Sequence, residues 1–129
     1  MLVPALAAYH EAHRRSLEAL GRDSAGLICH VAFETACVLT RMPEGLRVAP
    51  VTVLAALEHD FPEPWLALDA AGQRSCLHRS MAAGLRGGTL YDALIAATAS
   101  EHGATLLTAD HRARHAYQAM GTKVAYVEP

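Results

Sequence analysis

Apolar residues occur along the chain in short blocks, and the spacing within each block distinguishes helices from strands. Helical spacing, bounded by glycine or proline, predicts helices over residues 4–20, 32–41, 51–57, 70–83, 90–101 and 111–120. Short β-prone runs predict strands over 27–31, 65–68, 104–107 and 123–127. Because strands and helices alternate, we expect an α/β fold in which four parallel strands form a sheet flanked by helices.

The helix predicted over 90–101 organises the rest of the chain, because it is apolar on almost every side. Such a helix packs inside a domain rather than on its surface. It follows two glycines, and Thr89 is a suitable N-cap residue. Asp92 therefore lies in the first turn of a buried helix, where it is either a functional carboxylate or the partner of Thr89 in a capping box.

A second carboxylate, Asp110, comes just after the strand predicted over 104–107. In open parallel sheets, ligands bind in the crevice beyond the carboxyl ends of the strands. We therefore expect a functional carboxylate at Asp110, although the same side chain could simply cap the helix predicted over 111–120.

Glu34 is the third acidic residue of interest, because its neighbours at helical spacing are apolar. An ionised carboxylate is costly to bury unless it is paired or bound to a metal ion, so Glu34 either belongs to a site or is held by an arginine or a helix cap. The predicted topology places Glu34, Asp92 and Asp110 at one edge of the sheet. Three carboxylates repel one another there unless a divalent cation neutralises them, and ligation by oxygen alone suits Mg2+ or Mn2+. Such a centre predicts metal-assisted phosphoryl transfer.

The overall composition narrows the class of partner and the compartment. The 129 residues carry a net charge of −2, so any contact with nucleic acid must come from a local patch. Nearly all the cations are arginine, whose guanidinium suits bidentate phosphate contact. Cys29, Cys37 and Cys76 are widely spaced and odd in number, which indicates reduced core thiols. No apolar segment is long enough to span a membrane, so we expect a cytoplasmic protein.

Three motifs follow one another in order along the chain. They are His30-x-x-x-Glu34-x-x-x-Val38-Leu39-Thr40-Arg41-Met42-Pro43, then Gly88-x-x-Tyr91-Asp92-Ala93-Leu94-Ile95-Ala96, and then Leu106-Leu107-Thr108-Ala109-Asp110. In order and spacing, the set closely resembles PIN-domain ribonucleases of the VapC toxin type. The resemblance covers essentially the whole chain.

The resemblance implies a three-layer PIN-like fold and an endoribonuclease that depends on Mg2+ or Mn2+. Its catalytic and metal-binding residues would be Glu34, Asp92 and Asp110, and Thr108 would support the site by hydrogen bonding. Family members act as toxins, usually on tRNA or rRNA, and are neutralised by a small VapB antitoxin whose tail occupies the active-site groove. The resemblance also suggests a homodimer.

Arginines near these motifs complete the expected site. Arg41, Arg112 and Arg114 would contact RNA phosphates while a metal-activated water attacks the phosphodiester in line.

The chain departs from the family pattern at its start. The family opens with an apolar strand ending in Asp-x-Ser or Asp-x-Asn, which supplies the first metal-binding aspartate, whereas no acidic residue precedes Glu11 here. We therefore expect residues 1–129 to form a single PIN domain that is truncated at its N-terminus and lacks the central first strand.

Two other functions stay open at this point. A catalytically impaired family member would act only as a module that binds an antitoxin or RNA. A receiver-like or phosphatase-like α/β domain also gathers acids at strand ends. That class needs an early acidic pair, which is absent, and a lysine after its last functional strands, for which Lys123 lies too near the end.

Overall fold

The computed structural model describes residues 14, 15, 18 and 26–126. The chain divides into two compact units, Met1–Trp65 and Leu66–Pro129. Residues 14, 15 and 18 are helical, as expected for the helix predicted over 4–20, and the remainder of that prediction lies outside the described residues.

Two helices form the described part of the N-terminal unit. Helix α1 spans Cys29–Thr40 and helix α2 spans Pro50–Asp60, with Pro50 in the first turn, where its missing N–H costs nothing. The two helices pack against each other. Their shared core is aliphatic and consists of Leu27, Ala32, Leu39, Val48, Val53 and Leu57.

The C-terminal unit combines three α-helices with a short parallel sheet. Its elements are α3 (Ala70–Ala82), α4 (Thr89–Glu101), β1 (Leu106–Thr108), a 3-10 turn (His111–Ala113), α5 (Arg114–Ala119) and β2 (Val124–Tyr126). The strands pair in parallel, with Leu106 opposite Val124 and Thr108 opposite Tyr126. Both strands therefore end at the same edge, and the predicted α/β class is confirmed for this unit.

Helix α4 is the centre of this unit, as the sequence predicts. It packs against α3 and α5, and alanine forms most of its buried surface. Ala93 and Ala96 of α4 and Ala116 of α5 are completely inaccessible to solvent. The Thr122 hydroxyl donates to the Ala96 carbonyl at 2.8 Å, which ties the segment before β2 to the helix. Small side chains thus let these elements approach closely.

The prediction of four strands is not confirmed. In the part of the chain that the structure describes, only β1 and β2 are strands, and Ile28 and Leu66 each form a single β-bridge. The strand predicted over 27–31 is wrong beyond Ile28, because α1 begins at Cys29. Val31 and Ala32 pack into the aliphatic core from this helix, so tertiary packing overrides their local β preference.

Two local predictions are also corrected. Thr89 is the first residue of α4 rather than its N-cap, and its hydroxyl donates to the Arg86 carbonyl at 2.6 Å. Cys37 is exposed rather than part of the core, because it lies on the outward face of α1. The helix predicted over 70–83 is confirmed as α3, and Asp69 caps it, since its Oδ1 accepts the Gly72 N–H at 2.7 Å. Within the described ranges, no helix has the length and apolar character needed to cross a lipid bilayer.

Candidate active site

Asp110 lies just beyond the carboxyl end of β1, where the sequence places it. Its backbone N–H donates to Thr108 Oγ1 at 3.0 Å, and its Oδ1 accepts the Arg112 N–H at 2.9 Å. The side chain therefore caps the 3-10 turn, in line with the alternative that Asp110 caps the helical segment that follows it. The carboxylate is still 43% exposed, so capping leaves it accessible to a ligand.

Tyr117 of α5 connects this turn to the interior. Its hydroxyl lies 3.2 Å from Thr108 Oγ1, at hydrogen-bonding distance, and its side chain is buried. Burial raises the pKa of the Tyr117 phenol above its usual value, and the hydrogen bond with Thr108 offsets part of that increase. The charges of Asp92 and Asp110 raise the pKa of Tyr117 further, since a phenolate would be repelled by nearby carboxylates.

The charges of Asp92 and Asp110 both raise the pKa of Tyr117, so the two carboxylates act on the same phenol. Asp92 is half-buried in the first turn of α4, and Asp110 follows β1. The proposed capping box between Thr89 and Asp92 is absent, because Gly88 rather than Thr89 is the N-cap residue. The convergence of Asp92 and Asp110 in one site stays a prediction, which is supported by the influence of both charges on the Tyr117 phenol.

Glu34 lies in the N-terminal unit, on the exposed face of α1. Its side chain is 54% exposed, and its Oε1 is 3.9 Å from His30 Nε2. Among the residues that the structure describes, the ionisable partner of Glu34 is thus a histidine one turn earlier rather than an arginine. The convergence of Glu34 with Asp92 and Asp110 stays a prediction.

The described residues contain no preformed metal site with three or more side-chain ligands. Among residues 14, 15, 18 and 26–126, no three His, Cys, Asp or Glu side chains are grouped so that they could hold a metal ion. A Mg2+ ion, however, is commonly bound by only one or two carboxylates, with waters and substrate phosphates completing its shell. The oxygen donors of Asp92 and Asp110 fit that pattern of ligation.

Comparison with known proteins decides the family. The model of the PIN domain matches residues 2–119. Ribonuclease VapC40 of Mycobacterium tuberculosis is 41% identical over 127 residues, which cover 98% of this chain and 94% of that protein. Ribonuclease VapC27 of the same organism is 37% identical over 123 residues, or 95% of this chain and 88% of that protein. No solved structure gives a significant match.

The chain belongs to the PIN-domain family. Within that family it belongs to the VapC ribonucleases, because both relatives carry that name and align with nearly the whole chain. The resemblance stated from the three motifs is therefore confirmed.

The three arginines expected to contact RNA in this PIN domain lie in different settings. Arg112 is 96% exposed, and its Nε is 3.6 Å from Asp110 Oδ1. The Arg114 guanidinium lies 5.0 Å from the centre of the Tyr126 ring. Arg41 follows α1 in the N-terminal unit and is exposed. Arg112 is thus the arginine that stands directly beside a candidate catalytic carboxylate.

Sequence reasoning missed Tyr117, His111 and Tyr126. Tyr117 contacts Thr108 across nine residues, and no local pattern predicts that contact. The His111 ring stacks on the Tyr126 ring, a contact that follows only from the register pairing Thr108 with Tyr126. The sequence held one signal for the two tyrosines: they lie near the ends of α5 and β2, the two elements that follow the Thr108 motif along the chain.

Proposed function

We propose that this PIN domain is a metal-dependent endoribonuclease that cleaves RNA phosphodiester bonds as the toxin of a type II toxin–antitoxin pair. The observation that supports this most directly is the position of Asp110, whose carboxylate is 43% exposed at the edge where β1 and β2 end; the influence of the Asp92 and Asp110 charges on the pKa of Tyr117 adds to it. That edge is where ligands bind in open parallel sheets.

Hydrogen bonds between the chain's own residues hold the side chains at this edge in place. Thr108 accepts the Asp110 N–H and so fixes the turn that presents the carboxylate. The Tyr117 hydroxyl shares a hydrogen bond with the Thr108 hydroxyl, and burial raises the pKa of the Tyr117 phenol above its usual value. Catalytic groups held in this way need little reorganisation when substrate binds.

Asp92, Asp110 and Glu34 are the residues that we propose to hold Mg2+ or Mn2+. When bound, such an ion supplies Lewis-acid stabilisation of charge and lowers the pKa of an attached water. Glu34 enters this set from the family motif, whereas Asp92 and Asp110 are also supported by their common effect on Tyr117.

Arg112, Arg114 and Arg41 are proposed to contact RNA phosphates. Guanidinium groups bind phosphate oxygens in a bidentate manner, and Arg112 is almost fully exposed beside Asp110. An arginine in that position would orient a phosphate next to the carboxylate pair. We therefore rank Arg112 first among the three.

The partners follow from the relatives. Two proteins named as VapC ribonucleases align with nearly all of this chain. We propose a VapB-type antitoxin as the protein partner, a tRNA or rRNA as the substrate, a homodimeric state and a cytoplasmic location. We further propose that residues 1–129 form one PIN domain.

An RNA cleavage assay on the full chain tests this function. With tRNA or rRNA and Mg2+ or Mn2+, we expect cleavage by the wild type and a loss of more than about 100-fold in Asp92→Asn, since changes to outer-shell partners of a metal alone cost about 10–100-fold. Asp69→Asn is the matched control, because Asp69 only caps α3 in the same unit. Wild-type activity in Asp92→Asn would remove Asp92 from the site. Absence of cleavage by the wild type would contradict the enzymatic function.

A further inference from the structure

Beside Asp110, the chain presents an ordered aromatic surface that the proposed chemistry does not use. The His111 imidazole lies nearly parallel to the Tyr126 ring, with 4.4 Å between ring centres and 12° between the planes. We call this pair the His111–Tyr126 stack. His111 is exposed and Tyr126 is half-buried, so the histidine is the more accessible member of the stack.

A cation holds the stack in place. The Arg114 guanidinium carbon lies 5.0 Å from the centre of the Tyr126 ring, within the range of a cation–π contact. Its Nη2 lies 3.3 Å from His111 Nδ1. Arg114 therefore contacts both members, which limits rotation of the exposed imidazole.

The stack lies at the same edge as Asp110. Tyr126 ends β2 and pairs in register with Thr108, the residue that accepts the Asp110 N–H. His111 immediately follows Asp110 along the chain. A nucleotide whose phosphate is contacted by Arg112 beside Asp110 would therefore have a flat aromatic surface next to it.

This surface has the chemistry that unpaired RNA bases recognise. Single-stranded RNA is bound by stacking of exposed bases on aromatic side chains and on arginine planes, next to cations that contact the backbone. We propose that the exposed His111 ring of this stack is the stacking site for the unpaired nucleobase adjacent to the phosphate that Arg112 contacts beside Asp110. The inference rests on the proposed ribonuclease function and adds a base-binding subsite to it.

The breadth of this subsite follows from the chemistry of stacking. Every base has a π face, so the subsite accepts all four. The ligand class is therefore an unpaired nucleotide of any base.

Fluorescence of a base analogue measures the contact directly. A short single-stranded RNA with one 2-aminopurine is titrated with the full chain at fixed salt, with EDTA present so that the RNA is not cleaved. We expect quenching on binding to the wild type. His111→Ala should lose the quenching and bind about 5- to 150-fold more weakly, the range given by removal of a stacking side chain.

Two variants make this outcome specific. His111→Phe keeps a flat ring and should retain both quenching and affinity. His115→Ala removes an exposed histidine from α5, outside the stack, and should behave like the wild type. Equal binding and quenching in His111→Ala and His115→Ala would overturn the inference.

The same variants separate this inference from the proposed function. If the wild type cleaves RNA but His111→Ala binds it normally, only the subsite is wrong. If His111→Ala loses affinity for a partner protein while RNA binding is unchanged, the stack belongs to a protein interface and the inference is again overturned. If the wild type neither binds nor cleaves RNA, the proposed function itself fails.

Discussion

The two units of the chain use different means to build a core. In the N-terminal unit, branched aliphatic residues such as Leu39 and Val53 fill the space between α1 and α2. Large apolar side chains are also left outside, and Phe33 is 77% exposed. In the C-terminal unit, alanines of α4 and α5 form the packed surface, and the buried polar groups are hydrogen-bonded to nearby carbonyls.

This difference explains why the better-defined part of the site lies in the C-terminal unit. Close packing of α4 and α5 leaves little room for movement, and the Thr108, Asp110 and Tyr117 hydrogen bonds are attached to that packed surface. Glu34, in contrast, extends from an exposed helix face and has a histidine at 3.9 Å. Close packing and a fixed carboxylate thus occur together.

Overpacking the alanine surface should produce the largest change in stability. Ala96→Leu inserts three carbons where there is no accessible space, so the free energy of unfolding should fall by about 1–3 kcal/mol. Ala55→Leu makes the same change at an exposed position of α2 and should stay within about 0.5 kcal/mol of wild type. Urea unfolding measures both. Equal losses of unfolding free energy in Ala96→Leu and Ala55→Leu would contradict the tight packing around Ala96.

Removing the Tyr117 hydroxyl should weaken the site without unfolding it. Tyr117→Phe removes one buried hydrogen bond, so the free energy of unfolding should fall by about 0.5–1.5 kcal/mol. RNA cleavage should fall by about 10- to 100-fold, because the turn that carries Asp110 loses a support. Ser75→Ala, which removes an exposed hydroxyl from α3, is the control and should leave stability unchanged. Full cleavage activity in Tyr117→Phe would show that Thr108 needs no such support.

In the metal-free chain, the unfolding free energy above pH 10 should depend on the Tyr117 hydroxyl. The pKa of Tyr117 is raised in the folded state above its ordinary value of 10.0, so the unfolded chain loses this proton first. The stabilisation that the protonated Tyr117 phenol provides is fully present below pH 10 and is lost as the pH rises further. The unfolding free energy should therefore fall less steeply above pH 10 in Tyr117→Phe than in the wild type. Identical slopes would contradict the raised pKa.

Changing Glu34 should have the smallest effect on stability. Glu34→Gln removes a charge that is 54% exposed and weakly paired, so the unfolding free energy should change by less than about 0.5 kcal/mol. If Glu34 belongs to the metal site as proposed, RNA cleavage should nevertheless fall. Glu58→Gln on the exposed face of α2 is the control, and it should affect neither quantity. Unchanged cleavage in Glu34→Gln would exclude Glu34 from the site.

Local rules predicted most elements of the C-terminal unit. Asp69 caps α3, Gly103 in the left-handed region follows α4, and the apolar run after it forms β1. Each of these signals acts within a few residues. The strand predicted over 27–31 failed because α1 is set by packing of Ala32 and Leu39 into a core shared with α2, and that packing is not local.

The site could be predicted only as far as its residues follow strand or helix ends. Asp92 and Asp110 were identified because each begins or ends an element. Tyr117 and the His111–Tyr126 stack depend on register and on packing between elements, so no spacing rule reveals them. The ends of strands and helices thus predict the candidate catalytic carboxylates. The side chains that hold those carboxylates in place depend on tertiary contacts, which the sequence pattern does not reveal.

Binding of Mn2+ tests the central claim, that Asp92 and Asp110 belong to one site. Mn2+ affinity is measured by electron paramagnetic resonance on the wild type, Asp92→Asn, Asp110→Asn and the control Asp69→Asn. We predict that each of the first two substitutions weakens Mn2+ binding by more than about 10-fold and that the control does not. Wild-type affinity in either Asp92→Asn or Asp110→Asn would contradict the shared site.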